Sequence, residues 1–145
     1  GIAIAVNLKE MAKLNVPIIA IITGEGCSGG ALGLGVANKV LMLEHSYYTV
    51  ISPEGCASIL WRDAAKFAEA ADALKITADD LIKFNIIDGK ILEPVGGAHT
   101  NHQEMGENMK KAILDSLNEL SSLSKEELRN QRYDKFRHMG AFIEG

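Results

Sequence analysis

Ile4, Leu8, Met11 and Leu14 recur at three- and four-residue spacing, which predicts an amphipathic helix ending at Asn15, a residue tolerated in the left-handed cap position. The period then changes. Val16-Pro17-Ile18-Ile19-Ala20-Ile21-Ile22 is unbroken apolar sequence, and Pro17 opens it as a strand buried on both faces, as in parallel sheets covered by helices. Lys39-Val40-Leu41-Met42-Leu43 has the same character and follows a short helix at about residues 30–38, so a β-loop-α-β unit with a right-handed crossover is expected. Residues 47–51 are β-branched and aromatic and read as a third strand, closed by the turn residues Ser52-Pro53-Glu54-Gly55. Helices follow. One covers roughly residues 63–74, and another starts at the capping box Thr77-Ala78-Asp79-Asp80. Residues 86–92 suggest a short hairpin or strand, after which Pro94 and Gly96-Gly97 break the chain. Met105, Met109, Ile113, Leu117 and Leu120 stripe a long helix, and Ser124 with Glu127 caps a last one ending at Gly140. No internal repeat is present.

Residues 24–30, Gly24-Glu25-Gly26-Cys27-Ser28-Gly29-Gly30, join the first strand to the short helix and read as a turn stripped of side chains. Four glycines in seven residues permit positive φ and leave amides uncovered, and a helix start adds unpaired donors with a dipole favouring negative charge. The turn is built to hold an anion. Three uses compete: a phosphate cradle, a nucleophile elbow around Ser28, and an oxyanion hole for a developing enolate. Gly24-x-Gly26-x-x-Gly29 has dinucleotide spacing, with Glu44 twenty residues beyond Gly24, yet only nine residues separate Gly29 from Lys39, a short crossover. Gly26-Cys27-Ser28-Gly29-Gly30 has the G-x-S-x-G form, and Asp88 and His99 follow in the Ser-Asp-His order of α/β-hydrolases. Against a nucleophile stands a simpler role for Ser28, capping the helix through its hydroxyl.

Composition excludes more than it selects. A chain of 145 residues, 47% hydrophobic and 23% charged, supports one domain with a real core. Its net charge of -4 gives no electrostatic reason to expect nucleic acid or an anionic membrane surface. The longest apolar run, seven residues, is far short of a membrane span, and a cytoplasmic location is expected. Cys27 and Cys56 stand in unlike contexts, as reduced thiols rather than a disulfide framework. His99 and His102 could offer imidazoles to a metal, but no Cys or further His lies nearby, and a polar loop is the better reading. Lys125, Arg129, Arg132, Lys135 and Arg137 interleave with Glu126, Glu127 and Asp134, which describes a solvated or partner-facing helix. The chain opens at Gly1 and holds too few strands to complete an α/β sheet, so a piece of a longer protein is expected.

The run Ser52-Pro53-Glu54-Gly55-Cys56-Ala57-Ser58-Ile59-Leu60-Trp61 is more specific than any glycine pattern. With the glycine turn, Glu93-Pro94-Val95-Gly96-Gly97-Ala98-His99 and Leu128-Arg129-Asn130-Gln131-Arg132-Tyr133, it closely resembles the α subunits of bacterial acetyl-coenzyme A carboxylase carboxyltransferases. The likeness covers essentially the whole chain, but only the C-terminal part of a family subunit. It implies an α/β, crotonase-like (ClpP/crotonase) fold of stacked ββα units, with residues 1–100 as the β/α part of a single partial domain and 101–145 as its C-terminal helices. It also implies transfer of a carboxyl group from carboxybiotin, on a biotin carboxyl carrier protein, to acetyl-CoA, giving malonyl-CoA for fatty acid biosynthesis. The partner would be a β subunit in an α2β2 heterotetramer. In the family a zinc ribbon belongs to that β subunit and ATP to a separate biotin carboxylase component, so no metal is expected in this chain. The resemblance makes the amides of Gly29 and Gly30 the oxyanion hole, and Gly24, Gly26, Cys27 and Ser28 the loop facing biotin. Hydratases of the superfamily carry an acid shortly after the glycine pair, where this chain has Gly33. Glu54 is the remaining nearby acid by motif, although Pro53-Glu54-Gly55 equally suits a structural turn. Another crotonase-like acyl-CoA enzyme is the nearest alternative, ahead of a nicotinamide-binding module or a serine hydrolase.

Overall fold

The apolar runs become strands in a computed structural model that describes residues 1–140. β1 (Ile19–Ile22), β2 (Glu25–Cys27), β3 (Lys39–Leu43), β4 (Tyr47–Thr49) and β5 (Gly89–Ile91) form two parallel sheets, ordered β1-β3-β5 and β2-β4. Period-two alternation divides the larger sheet between two cores. Val40 and Met42 of β3 face Ala37, Ala78, Leu81 and Ile87, whereas Leu41 and Leu43 face Ile91 and Met105. The central strand is thus buried on both faces. β1 lies at the sheet edge and is only half-buried, short of the two-sided burial expected from its composition.

Helix α1 (Ile2–Lys13) ends earlier than Asn15, because Leu14 turns the backbone to an extended conformation (φ -61°, ψ 134°). α2 (Ser28–Leu34) starts two residues before the expected helix and stops at Gly35. The turn residues 52–55 are instead a helix start. Ser52 accepts a hydrogen bond from the Gly55 amide and Pro53 occupies the first turn of α3 (Pro53–Trp61), a position where a missing N–H loses nothing. The helix expected over 63–74 is a 3-10 turn (Ala64–Lys66) running into α4 (Phe67–Leu74). Thr77 caps α5 (Ala78–Lys83), and residues 86–92 supply the single short strand β5 rather than a hairpin. Asn101 caps α6 (His102–Ser121), whose Met105 and Met109 cover the sheet. Ser124 and Glu127 form the full capping box of α7 (Lys125–Arg137).

A buried polar node ties the ends of the chain together. Asn38 accepts from the Ile18 amide (3.1 Å) and from Arg132 Nη1 (2.7 Å), and donates to the Leu128 carbonyl (2.8 Å). Arg132 is 1% exposed and also donates through Nη2 to the Leu14 carbonyl. One basic residue of the last helix therefore clamps the end of α1 and the entry to β1. Buried polar groups are tolerated when bonded in this way.

Candidate active site

Leaving β1, the chain passes Thr23 and Gly24 and enters β2, so the presumed bare turn is partly a strand. β2 pairs with β4 in the register Glu25↔Tyr47, Gly26↔Tyr48 and Cys27↔Thr49. The glycines serve differently from expectation. None of Gly24, Gly26, Gly29 or Gly30 has positive φ; Ser28 does, at 60°. Ser28 opens α2, the residue before it, Cys27, holds the cap position, and no side-chain cap bond forms. The expected hydroxyl cap is absent because the cap position falls on Cys27, and Ser28 follows it in the left-handed conformation.

Gly26 is buried, and a Cβ there would lie 3.1 Å from Ile22 Cγ2 and 3.2 Å from Tyr48 Cδ2. Its bareness admits neighbours. A Cβ on Gly24 or Gly30 would meet nothing within 4 Å, so bareness there leaves open space. The amides of Gly29 and Gly30 donate to no described residue, as expected of the first turn of a helix. Gly29 lines a cavity of about 350 Å³ walled also by Ser28, Leu32, Tyr48, Thr49 and Leu81 among others, and Gly30 lies outside that wall. No carboxylate lines it. On the other flank a cavity of about 570 Å³ runs along β1 past Gly24, Gly26, Cys27 and Tyr48. A third, of about 580 Å³ between α1 and α7, touches no residue of the glycine turn. Cys27 is a half-buried free thiol and Cys56 a buried one packed against Ala57 and Ala70.

The competing constellations do not assemble. Asp88 accepts from the Val40 amide (2.7 Å) and pairs with the Lys135 ammonium, and it bonds to neither His99 nor Ser28. Without a His–Asp bond there is no oriented base for a serine nucleophile. Glu44, the candidate ribose ligand, instead accepts the Glu93 amide (3.2 Å). Among the described residues no group of three or more His, Cys, Asp or Glu could hold a metal ion. Glu54 is exposed in the first turn of α3.

Two contacts were invisible to motif reading. Glu93, with its side chain 6% exposed, lies 2.6 Å from His45 Nδ1 and accepts the Ala98 amide at 3.2 Å. Tyr48 stands opposite Gly26 and walls both cavities beside the turn. A strand aromatic at the register position of a glycine would have been the signal, but the register becomes known only with the pairing.

Residues 1–140 match the family described as acetyl co-enzyme A carboxylase carboxyltransferase-like. The chain belongs to this family. It is 58% identical over 144 residues to the acetyl-coenzyme A carboxylase carboxyl transferase subunit alpha of Trichodesmium erythraeum, covering 99% of this chain and 44% of that protein. The subunit of the same name from Protochlamydia amoebophila is 55% identical, over 100% of this chain and 46% of the relative. The chain thus spans about half the length of the curated relatives it matches. Among solved structures, a Pseudomonas malonate decarboxylase hetero-tetramer in complex with coenzyme A aligns with TM-score 0.69 at 16% identity, over 90% of this chain and 51% of that one. A transcarboxylase 12S structure with methylmalonyl-coenzyme A bound aligns with TM-score 0.65 at 19% identity, over 82% and 22%. These likenesses establish the crotonase-like fold for this member of the family.

Proposed function

We propose that the chain carries the oxyanion-binding turn of an acetyl-CoA carboxylase carboxyltransferase α subunit, which moves a carboxyl group from carboxybiotin to acetyl-CoA. The observation that carries this reading is the pair of amides on Gly29 and Gly30 that no described residue partners, with Gly29 lining a cavity to which the described residues bring no carboxylate. Loss of the carboxyl group from carboxybiotin develops negative charge on the ureido oxygen. Donors fixed in advance stabilise that charge without reorganising, and the lack of Cβ lets the oxygen reach the backbone. Gly24, Gly26, Cys27 and Ser28 form the loop that leads the biotin ring in, and Leu32 and Leu81 supply apolar wall. The released biotin can itself take the proton from the acetyl methyl, so no side-chain base is required of this chain. Water addition to an enoyl bond is disfavoured, because Gly33 stands where a hydratase has its acid and its carbonyl accepts from Asn7 instead.

In this reading the α subunit works with a β subunit in an α2β2 heterotetramer, receives carboxybiotin on the carrier protein, and makes malonyl-CoA for fatty acid biosynthesis in the cytoplasm. Metal and ATP belong to other components. The test uses the full-length subunit bearing this sequence together with its β partner, assayed for malonyl-CoA formation from the carboxylated carrier and acetyl-CoA. Gly30→Val should cut turnover roughly 100- to 1,000-fold, the usual cost of an oxyanion donor. Ser28→Ala should retain most turnover, and a fluorophosphonate should not label the parent enzyme at Ser28. Loss with Ser28→Ala and intact turnover with Gly30→Val would return the decision to a serine nucleophile.

A further inference from the structure

Helix α2 is poorly equipped to hold itself in place. It has seven residues, three of them glycine, and Gly33 is its one buried residue. Helices this short are marginal alone, and glycine lowers helical propensity further, so α2 depends on side chains from outside. On one side these come from α1. Ile4 packs where a Cβ on Gly29 or Gly33 would stand (3.2 and 3.4 Å), and Asn7 donates to the Gly33 carbonyl.

On the other side stands Tyr48. Its ring edge lies 3.2 Å from the position of a Cβ on Gly26, just before α2, and its phenol oxygen lies 2.8 Å from that of a Cβ on Gly35, which caps the helix. Both glycines are buried. The ring is anchored in turn on the core of Ala37, Val40, Met42 and Leu81, and the Tyr48 amide is held by the Ile76 carbonyl (3.1 Å). Two glycines that take no part in anion binding thus share one aromatic neighbour, beside a second contact at each, Ile22 Cγ2 at 3.1 Å for Gly26 and the Ala31 carbonyl oxygen at 3.0 Å for Gly35.

We propose that Tyr48 is a positioning residue: lodged between Gly26 and Gly35, it braces both ends of α2 and so fixes the amides of Gly29 and Gly30. The inference rests on the reading of those amides as oxyanion donors. Burial pushes the phenol above its ordinary pKa, so the side chain stays neutral at physiological pH and adds no charge opposing an oxyanion. The phenol oxygen makes no hydrogen bond to a described residue, so the brace is the ring itself. A displacement of about 1 Å at reacting groups costs on the order of 100-fold in rate, which sets the scale expected when the brace is lost.

The experiment compares Tyr48→Leu and Tyr48→Phe in the full-length subunit with its β partner, measuring kcat and KM for acetyl-CoA beside Gly30→Val. Tyr48→Leu should lower kcat about 10- to 100-fold with KM held within about threefold, and Tyr48→Phe should restore kcat. A second pair addresses the contact at Gly35 directly. Gly35→Ala should lower kcat, and Tyr48→Phe in the same chain should recover the part due to the phenol oxygen, leaving the part due to the Ala31 carbonyl 3.0 Å from the same Cβ. A folded Tyr48→Leu enzyme with unchanged kcat, when Gly30→Val has lost turnover, overturns the brace and leaves the donors standing. Unchanged turnover in Gly30→Val removes the donors themselves. If Tyr48→Leu does not fold, Tyr48→Met takes its place, and a folded Tyr48→Met enzyme with unchanged kcat overturns the proposal.

Discussion

Two glycine-rich turns leave the carboxyl ends of β1 and β5, on either side of the central strand β3, and they are built in opposite ways. Residues 24–30 keep their glycines at ordinary φ and leave the amides of Gly29 and Gly30 unpaired. Residues 93–99 put Gly96 and Gly97 at φ 90° and 107° and fold back on themselves through local hydrogen bonds. The Gly97 amide donates to Pro94 (2.8 Å), Thr100 Oγ1 donates to the carbonyls of Val95 (3.0 Å) and Gly97 (2.8 Å), and the Glu93 carboxylate takes His45 and Ala98. Glycine serves conformation in the second turn, and in the first it admits close neighbours at Gly26 and Gly29 and leaves open space at Gly24 and Gly30. Ligands of open parallel sheets gather at the carboxyl ends of strands, and of these two turns the first presents its free amides together at the start of a helix.

The sharpest way to break that contrast is to place a side chain in each turn. Gly30→Val should remove roughly 100- to 1,000-fold of turnover, yet leave the melting temperature nearly unchanged, because its Cβ meets nothing and its φ is ordinary. Gly97→Ala should do the reverse. At φ 107°, with its Cβ 3.2 Å from His99 Nδ1, alanine is strained whatever the space, and about 1–3 kcal/mol of stability should be lost. Turnover per folded molecule should survive. Denaturation curves and steady-state assays on the same two preparations decide the matter. A Gly30→Val protein that simply unfolds, or a Gly97→Ala protein that folds well but does not turn over, would dissolve the distinction.

Much of this architecture was legible in the chain, and the exceptions share a cause. β3 and the α6 stripe announced themselves because their periodicity runs over enough residues to be read, and the caps of α5 and α7 are local chemistry. β2 was not legible. Three residues with glycine at the centre have no period, and their pairing partner lies more than twenty residues away. α3 was missed because Ser-Pro-Glu-Gly opens a helix as readily as it closes a turn, and the choice is made by packing of Cys56 and Ala57 against Ala70. Of the site, the glycine-rich turn and the helix that starts within it could be read from the sequence. The place each glycine occupies could not, since a Cβ on Gly26 would meet Ile22 and Tyr48, one on Gly29 would meet Ile4, and one on Gly30 would meet open space. Arg132 looked like one more charge on a solvated helix, and its clamp on Leu14 and Asn38 exists only in three dimensions.

A smaller effect sharpens the comparison from within the first turn. The one residue of that turn in the left-handed region is Ser28, which has a Cβ to accommodate there. For such residues the left-handed conformation costs roughly 1–2 kcal/mol, and glycine removes most of it while loosening the unfolded chain. Ser28→Gly should therefore stabilise the fold by up to about 1 kcal/mol, read as a higher denaturation midpoint. The second turn offers no such gain, since its left-handed positions are already glycine. A Ser28→Gly protein less stable than the parent would mean that the hydroxyl holds something the described contacts do not contain.

The smallest expected effect separates the turns by pH. Burial alone would push the Glu93 carboxyl up, but hydrogen bonds from the His45 ring and amide and from the Ala98 amide outweigh it and hold the group below its ordinary range. The same contact, through its side-chain hydrogen bond, raises the pKa of His45. The stabilisation linked to His45 is complete below the unfolded histidine value of about 6.5 and is lost as pH rises through the raised folded value. That linked to Glu93 is complete above the unfolded value of about 4.3 and is lost as pH falls through its lowered folded value. The two overlap fully between roughly pH 4.5 and 6.5. His45→Gln should therefore lower the melting temperature most near pH 6 and progressively less toward pH 9, with the gap shrinking further in high salt because the imidazole is exposed. Gly30→Val, which touches no titrating group, should show a pH-independent offset. A His45→Gln gap that widened with rising pH would reverse the sign of the linkage and show that the imidazole contact does not stabilise the second turn by charge.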